Sequence, residues 1–276
     1  MDSLQDRAAA FERLLAIVDR LREPGGCPWD REQTVDSMSA YVIEEGHELV
    51  EAVERGQDSA VVEETGDLLM VLAMICRIAS EEGRFDLKDA AGSVCAKLVR
   101  RHPHVFGDQD AADSGEALSR WESVKAEERR AKRDDSSALA GIPVALPALQ
   151  RARRTCEKAV AAGFRWTSAA GALAKLDEEV GELHEALAPC DLDDPRASAP
   201  DGDARARIEA ELGDVLLAGA YLGQYLGIDP ERACRAALRR FEQRFRRMEG
   251  GVDGTLQGRS LAELMESWRA AKRAAH

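Results

Sequence analysis

Two acidic patterns stand out by residue type and spacing. The first is Lys175-Leu176-Asp177-Glu178-Glu179-Val180-Gly181-Glu182, and the second is Glu211-Leu212-Gly213-Asp214. Residues three and four apart share a face of an α-helix, so Glu178 and Glu179 both lie near Glu182. Glu211 and Asp214 likewise share a face, one that continues through Ala218 and Tyr221. Two such helices packed together bring four or five carboxylates to one place. Anions that close, beside an apolar stripe, repel one another and are costly to desolvate unless protons or cations neutralise them. Hard carboxylate oxygens with no His or Cys among them suit Mg²⁺ or Mn²⁺ better than zinc.

The same pair occurs earlier in the chain. Glu44-Glu45-Gly46-His47-Glu48 is followed by Glu64-Thr65-Gly66-Asp67 and the apolar run Leu68–Leu72. An EExxE helix followed by an ExGD helix, twice over, is hard to obtain from composition alone, even with 51 Asp and Glu. Glu45, Glu48, Glu64 and Asp67 are therefore a second set of possible metal ligands. Tyr41, Glu45, Glu48 and Ala52 fall on one stripe, and Glu64, Asp67, Val71, Met74 and Ile78 on another. Carboxylates at the end of a core-facing stripe are oddly placed for purely solvating groups.

The elements that must position these groups read as helices throughout. Ala, Leu, Glu and Arg dominate and β-branched runs are short. The pattern predicts helices over Phe11–Arg22, Ser37–Glu54, Ala60–Ser80, Leu87–Arg101, Gly115–Arg133, Leu149–Ala161, Ile228–Arg247 and Ser260–Ala274, besides the acidic pair of the second half. The Pro24–Asp30 segment reads as a turn, and Gly107–Ser114, Ala188–Asp203 and Gly250–Gly258 as loops, Ala188–Asp203 being mobile. The expected division is a helical domain over 1–133, a linker over 134–148 and a second helical domain over 149–276. Each half runs in the same order: Trp in a turn, EExxE, ExGD, an Arg-rich helix, and a Trp-x-x-x-Lys helix. Trp29 answers Trp166, Trp121 answers Trp268 and Lys125 answers Lys272. On the Arg-rich helices Arg100 is expected to answer Arg240, and His104 to answer Arg244.

A formal charge of −13 argues against a general nucleic-acid surface. It leaves room for an anionic substrate, since metals and a local basic cluster reverse the field locally. No stretch approaches the roughly 18 uncharged apolar residues of a membrane span, and the first residues lack the apolar region of a signal peptide. Six scattered cysteines without a CxxC pair read as reduced thiols, mostly small core residues, in a cytoplasmic protein. There is no phosphate-binding GxxxxGK[ST] loop and no GxSxG, and His102 and His104, an HxH around Pro103, read as structural. Arg240 and Arg244 lie one turn apart, as do Trp268 and Lys272. Guanidinium forks and an ammonium suit phosphate oxygens, and an indole can stack on a base.

Taken together, these residues resemble the MazG family of nucleoside triphosphate pyrophosphohydrolases, within the all-α NTP pyrophosphatase superfamily. The supporting strings are Gly26-Cys27-Pro28-Trp29-Asp30, Glu81–Asp86, Arg100–Phe106 and both EExxE/ExGD pairs, and the likeness runs from about Phe11 to Lys272. The resemblance implies an all-α fold of tandem duplicated helical bundles, completed by homodimerisation, and Mg²⁺-dependent hydrolysis of an NTP or dNTP to monophosphate and pyrophosphate. On matching positions it implies Glu179, Glu182, Glu211 and Asp214 as metal ligands and Glu178 as the group that holds or activates water. It further implies Lys175, Arg207, Arg240, Arg244 and Lys272 as phosphate contacts and Trp268 as a nucleotide contact, with catalysis in the second half. The alternative is a non-catalytic helical module that binds metal-nucleotide or a protein partner.

Overall fold

The Ser3 hydroxyl accepts a hydrogen bond from the Asp6 amide, and the Asp6 carboxylate accepts one from the Ser3 amide. This capping box starts the first helix, α1 (Leu4–Arg22), seven residues before the apolar periodicity begins at Phe11. In the computed structural model the described residues are 3–107, 110–131, 137–194, 201–251 and 255–274. Parts of the expected linker and of all three expected loops lie outside them.

Helix is the only regular structure among the described residues. After α1 come α2 (Pro28–Glu32), α3 (Val35–Arg55), α4 (Asp58–Glu81), α5 (Leu87–Arg101), α6 (Pro103–Phe106) and α7 (Ser114–Ala131). The second half contributes α8 (Ala148–Ala161), α9 (Ala169–Ala186), α10 (Asp203–Tyr225), α11 (Pro230–Gly250) and α12 (Leu261–Arg273). Their contacts divide the chain into two units between Ala131 and Lys132. Pro28, within the segment read as a turn, begins the short helix α2, and Pro103 begins α6. Proline at the first helical position loses no intrahelical bond and already has a helical φ.

In the first unit α3 packs along α4, and α1 crosses α4. Val18, Met38, Val71, Ala73, Met74 and Ile78 form the buried cluster, with Leu14, Tyr41, Val42 and Met70 against it. The Arg22 guanidinium sits under the Pro28–Gln33 turn. It bonds the Glu81 carboxylate at 2.7 Å and donates to the Asp30 and Gln33 carbonyls, so α1, α4 and the turn are tied at one point. Gly26 belongs to the same corner, where a Cβ would lie 2.2 Å from the Leu21 carbonyl oxygen.

The second unit is built on α9 against α10, with α8 on α10 and α11 touching α8, α10 and α12. Its buried residues are mostly small: Cys156, Ala172, Ala186, Ala218, Ala220 and Ala271, with Ile208 and Met248. Leu173, Val180, Leu212, Leu216 and Leu217, all on the α9/α10 pair, remain exposed. The expectation that the cysteines are mostly core residues is corrected: only Cys76 and Cys156 are buried, and Cys95 and Cys234 are exposed. Those two sit on α5 and α11, whose residues are largely solvent-facing.

Met74 is 1 % exposed at the centre of the first unit's core. Met74→Ala is expected to destabilise that unit by about 2–5 kcal/mol. Urea denaturation followed by circular dichroism measures it, and a loss below 1 kcal/mol would mean that the α1–α3–α4 cluster is not the stabilising core.

Candidate active site

The second acidic helix starts from Ser168, whose hydroxyl accepts the Gly171 amide and caps α9. Ten residues on, Glu178 and Glu179 sit on successive sides of the helix. Glu179 turns into the α9/α10 contact and is 7 % exposed, while the Glu178 side chain remains 57 % exposed. Across the contact, α10 presents Glu211 and Asp214, with Ala218 buried one turn further along the same face. One carboxylate oxygen from each of Glu179, Glu211 and Asp214 lies within 4.8 Å of the other two.

Glu182 stands outside that trio and is exposed, beside Glu179. Its carboxyl is pushed above the ordinary range, first by its hydrogen bond with Glu179, then by desolvation and the charges of Glu179 and Glu211. Lys175 lies one turn back, with Nζ 2.7 Å from carboxylate oxygens of both Glu178 and Glu179. Those two carboxylates raise the Lys175 ammonium in turn. The lysine expected on phosphate is thus held by the carboxylates themselves. Its ammonium can offer a third N–H to a phosphate oxygen, or exchange one of these contacts for it.

The first unit repeats the arrangement with one cation fewer. Thr34 caps α3 ten residues before Glu44, as Ser168 does before Glu178, so the two acidic helices align cap to cap. Glu45, Glu48 and Glu64 each place an oxygen within 4.8 Å of the others. Asp67 is not in that trio but acts on both Glu45 and Glu64 through its charge. Both carboxyls are raised, by desolvation first and then by their acidic neighbours. In this alignment Tyr41 stands where the second unit has Lys175.

The caps also correct the expected pairing of the Arg-rich helices. Asp86 caps α5 by accepting the Asp89 amide, and Asp229 caps α11 by accepting the Arg232 amide. Counting from these caps, Lys97 answers Arg240 and Arg101 answers Arg244, whereas Arg100 meets Gln243 and His104 meets Arg247. The register inferred from basic residues alone is off by three, nearly one helical turn. Periodicity cannot detect a slip that keeps the same face.

Arg240, Arg244 and Lys272 make no ion pair among the described residues, with the carboxylate trio or elsewhere. Arg207 approaches Glu185 at 4.0 Å. Trp268 packs against Phe241 with ring centroids 5.0 Å apart, which joins α12 to α11. One feature gave no sequence signal beyond two tyrosines a turn apart. The Tyr221 hydroxyl donates to the Phe164 carbonyl at 2.9 Å and the Tyr225 hydroxyl donates to the Trp166 carbonyl, so the aromatic turn before α9 is fastened to α10.

Known proteins match the same two segments of the chain. Residues 33–106 and 168–248 each match the family described as MazG nucleotide pyrophosphohydrolase domain, and each span includes one acidic helix pair. A nucleoside triphosphate pyrophosphohydrolase/pyrophosphatase MazG of Thermotoga maritima is 39 % identical over 272 residues, covering 98 % of both chains. A nucleoside triphosphate pyrophosphohydrolase of Escherichia coli K12 is 39 % identical over 267 residues, covering 95 % of this chain and 97 % of that one. Bacillus subtilis YabN, described as uncharacterized, is 33 % identical over 267 residues but twice as long, 51 % of it being covered. With two matched copies of the domain and relatives of this identity along nearly its whole length, the chain belongs to the MazG nucleotide pyrophosphohydrolase family.

Proposed function

We propose that the chain hydrolyses nucleoside triphosphates, NTP or dNTP, to the monophosphate and pyrophosphate, and that the second domain (149–276, after a linker over 134–148) carries the reaction. The single observation behind this reading is the convergence of Glu179, Glu211 and Asp214 beside a buried stripe. Three hard oxygen donors at that spacing, one of them buried, fit a magnesium or manganese ion, with Glu182 as the adjacent fourth carboxylate. When bound, such an ion supplies Lewis-acid polarisation of the α-phosphoryl group and a more acidic water.

The remaining roles fall to the chain's own groups. Glu178, exposed and steadied by Lys175, is placed to accept a hydrogen bond from a water and orient it towards phosphorus. Lys175 offsets the repulsion within the cluster and can exchange from a carboxylate to a phosphate oxygen. Arg240, Arg244 and Lys272 supply donors for the leaving pyrophosphate, Arg207 supports them from α10, and Trp268 offers an indole to the base. The first domain holds Glu45, Glu48, Glu64 and Asp67 as a second cation site of lesser or structural importance. Without a counterpart of Lys175 its carboxylates rely on the ion alone.

The reading includes a homodimer in the cytoplasm. Among the described residues no helix is long and apolar enough to cross a membrane, and all six cysteines are free. The exposed apolar face of α9 and α10 needs a cover. Gly66 and Gly213 occupy the same place in the two ExGD segments, where helix-interior glycine costs about 0.5–1 kcal/mol relative to alanine. A Cβ at either would meet nothing within 4 Å, so packing within the chain does not call for glycine there. A second subunit or the substrate approaching that close does.

With Mg²⁺ and a panel of NTPs and dNTPs, pyrophosphate is the expected product, and orthophosphate alone would overturn the assignment. Glu179→Gln and Asp214→Asn should each lower kcat at least a hundredfold, while Glu45→Gln and Asp67→Asn keep most of the activity. The reverse pattern would move the reaction to the first domain.

The raised carboxyls carry a second expectation, with a definite sign. Glu45, Glu64 and Glu182 hold their protons to higher pH folded than unfolded, where the ordinary value is 4.5. Their contribution to stability is complete below that value and is lost as pH rises through the raised ones. A divalent cation replaces those protons. Mg²⁺ should therefore raise Tm of the metal-free protein more at pH 7 than at pH 4.5, and calorimetry in buffers of different ionisation enthalpy should record proton release near the raised values. An equal Tm shift at both pH values would show that the ion binds elsewhere.

A further inference from the structure

In the first unit the end of α5, the short α6 and α7 line an open surface cleft of about 360 Å³, formed by His102, His104, Ala117 and Trp121. That volume is at the lower end of the range of small-ligand sites. The His102 ring is fixed by its Nδ1–H, which donates to the Leu98 carbonyl at 2.7 Å. His104 Nδ1 is buried and has no hydrogen-bond partner among the described residues, an uncommon state for a polar atom. Arg101 lies over the Trp121 ring at 5.3 Å from its centroid, and Lys125 at 4.3 Å.

Beside the cleft a single carboxylate closes on both arginines. Glu128 accepts from Arg100 Nε at 2.6 Å through one oxygen and from Arg101 Nη2 at 2.5 Å and Nε at 3.1 Å through the other. The Arg101 and Glu128 side chains are each 16 % exposed. Two guanidinium groups converging on one anion is how arginines hold a phosphate. Arg101 is also the cap-to-cap counterpart of Arg244, the proposed phosphate contact of the second domain. In the Trp-x-x-x-Lys register Glu128 corresponds to Ala275, so the second half has no carboxylate at this position.

We infer that the first unit carries a second, nucleoside-phosphate site that its own Glu128 keeps closed: the carboxylate occupies the place of phosphate oxygens on Arg100 and Arg101, and the adjoining cleft receives the base. The ligand class is a nucleoside phosphate, its flat apolar ring against Trp121 and Ala117 and its anionic end displacing Glu128. The two arginines hold the Glu128 carboxyl down at about 2, so protonation does not open the site near neutral pH. The inference rests on the proposed function only for the likeness of Arg101 to Arg244.

The test is calorimetric titration of the full-length protein with dATP in excess EDTA, so that no metal-dependent turnover intervenes. Glu128→Ala should bind dATP at least tenfold more tightly than the unsubstituted chain, and adding Arg101→Met to it should return the affinity to the starting value. Glu127→Ala removes the same charge from the exposed neighbour without touching either arginine, and should gain less than twofold. The inference is overturned if Glu128→Ala gains nothing, if its gain survives Arg101→Met, or if Glu127→Ala gains as much. Should Glu128→Ala fail to fold by circular dichroism, Glu128→Gln, which keeps one acceptor oxygen, decides by the same criteria with an expected gain of about threefold. Pyrophosphate release with Mg²⁺ is measured on the same preparations and should be unchanged in Glu128→Ala. Absence of release from the unsubstituted chain would sink the proposed function, whereas absence of the dATP gain sinks only the closed site.

Discussion

Everything in the second unit is subordinate to one electrostatic constraint: Glu179 is buried at 7 % exposure with Glu211 and Asp214 at close range. A buried carboxylate facing others is tolerable only with a proton or a cation to answer it. Among the described residues, the cation at contact distance is Lys175, one helical turn away. The packing around the cluster serves the same end. Besides Glu179 and Ile208, the buried residues of α9 and α10 are Ala172, Ala186, Ala218 and Ala220, and small side chains allow two helices to approach closely. Bulky residues there would hold the helices apart and spread the oxygens beyond the reach of one ion. The α9/α10 pair therefore uses its interior to bring charges together, and its larger apolar side chains are left outside.

The acidic face was legible in the sequence because helical spacing alone decides which residues share a side. Glu64, Asp67, Val71, Met74 and Ile78 fall on one stripe by counting, and Val71, Met74 and Ile78 are each no more than 2 % exposed. The family likeness was legible for the same reason, since its motifs are short and local. What could not be read was anything set by geometry between distant segments. Glu182 and Glu48 hold the same place after their caps, yet Glu48 is in its unit's trio and Glu182 lies beside its own, where Asp214 takes part instead. Glu128 meets Arg100 and Arg101 from 28 and 27 residues away across a loop, and no local pattern announces that pairing. The pairing of the Arg-rich helices slipped because basic residues recur at helical intervals, and only the Asp86 and Asp229 caps fix where each helix begins.

Cap-to-cap alignment changes what distinguishes the two halves. Compared through His104 and Arg244, the first half lacks a basic residue; compared through Arg101 and Arg244, it has one at the equivalent place and has neutralised it with Glu128. The carboxylates are nearly the same in kind and spacing, with a trio of oxygens within 4.8 Å in each unit. The cations differ. Lys175 steadies Glu178 and Glu179 where the first unit has Tyr41, and Arg244 has no ion pair among the described residues where Arg101 is bound to a carboxylate. On the proposed function, the anionic cluster of each unit would take a divalent ion, and the positive side chains would decide which unit also grips the phosphates that such an ion brings. Specialisation of the duplicated site would then need no loss of the acidic cluster: one lysine and one intruding glutamate at its edge would be enough to separate a site open to triphosphate from one that answers its own charges.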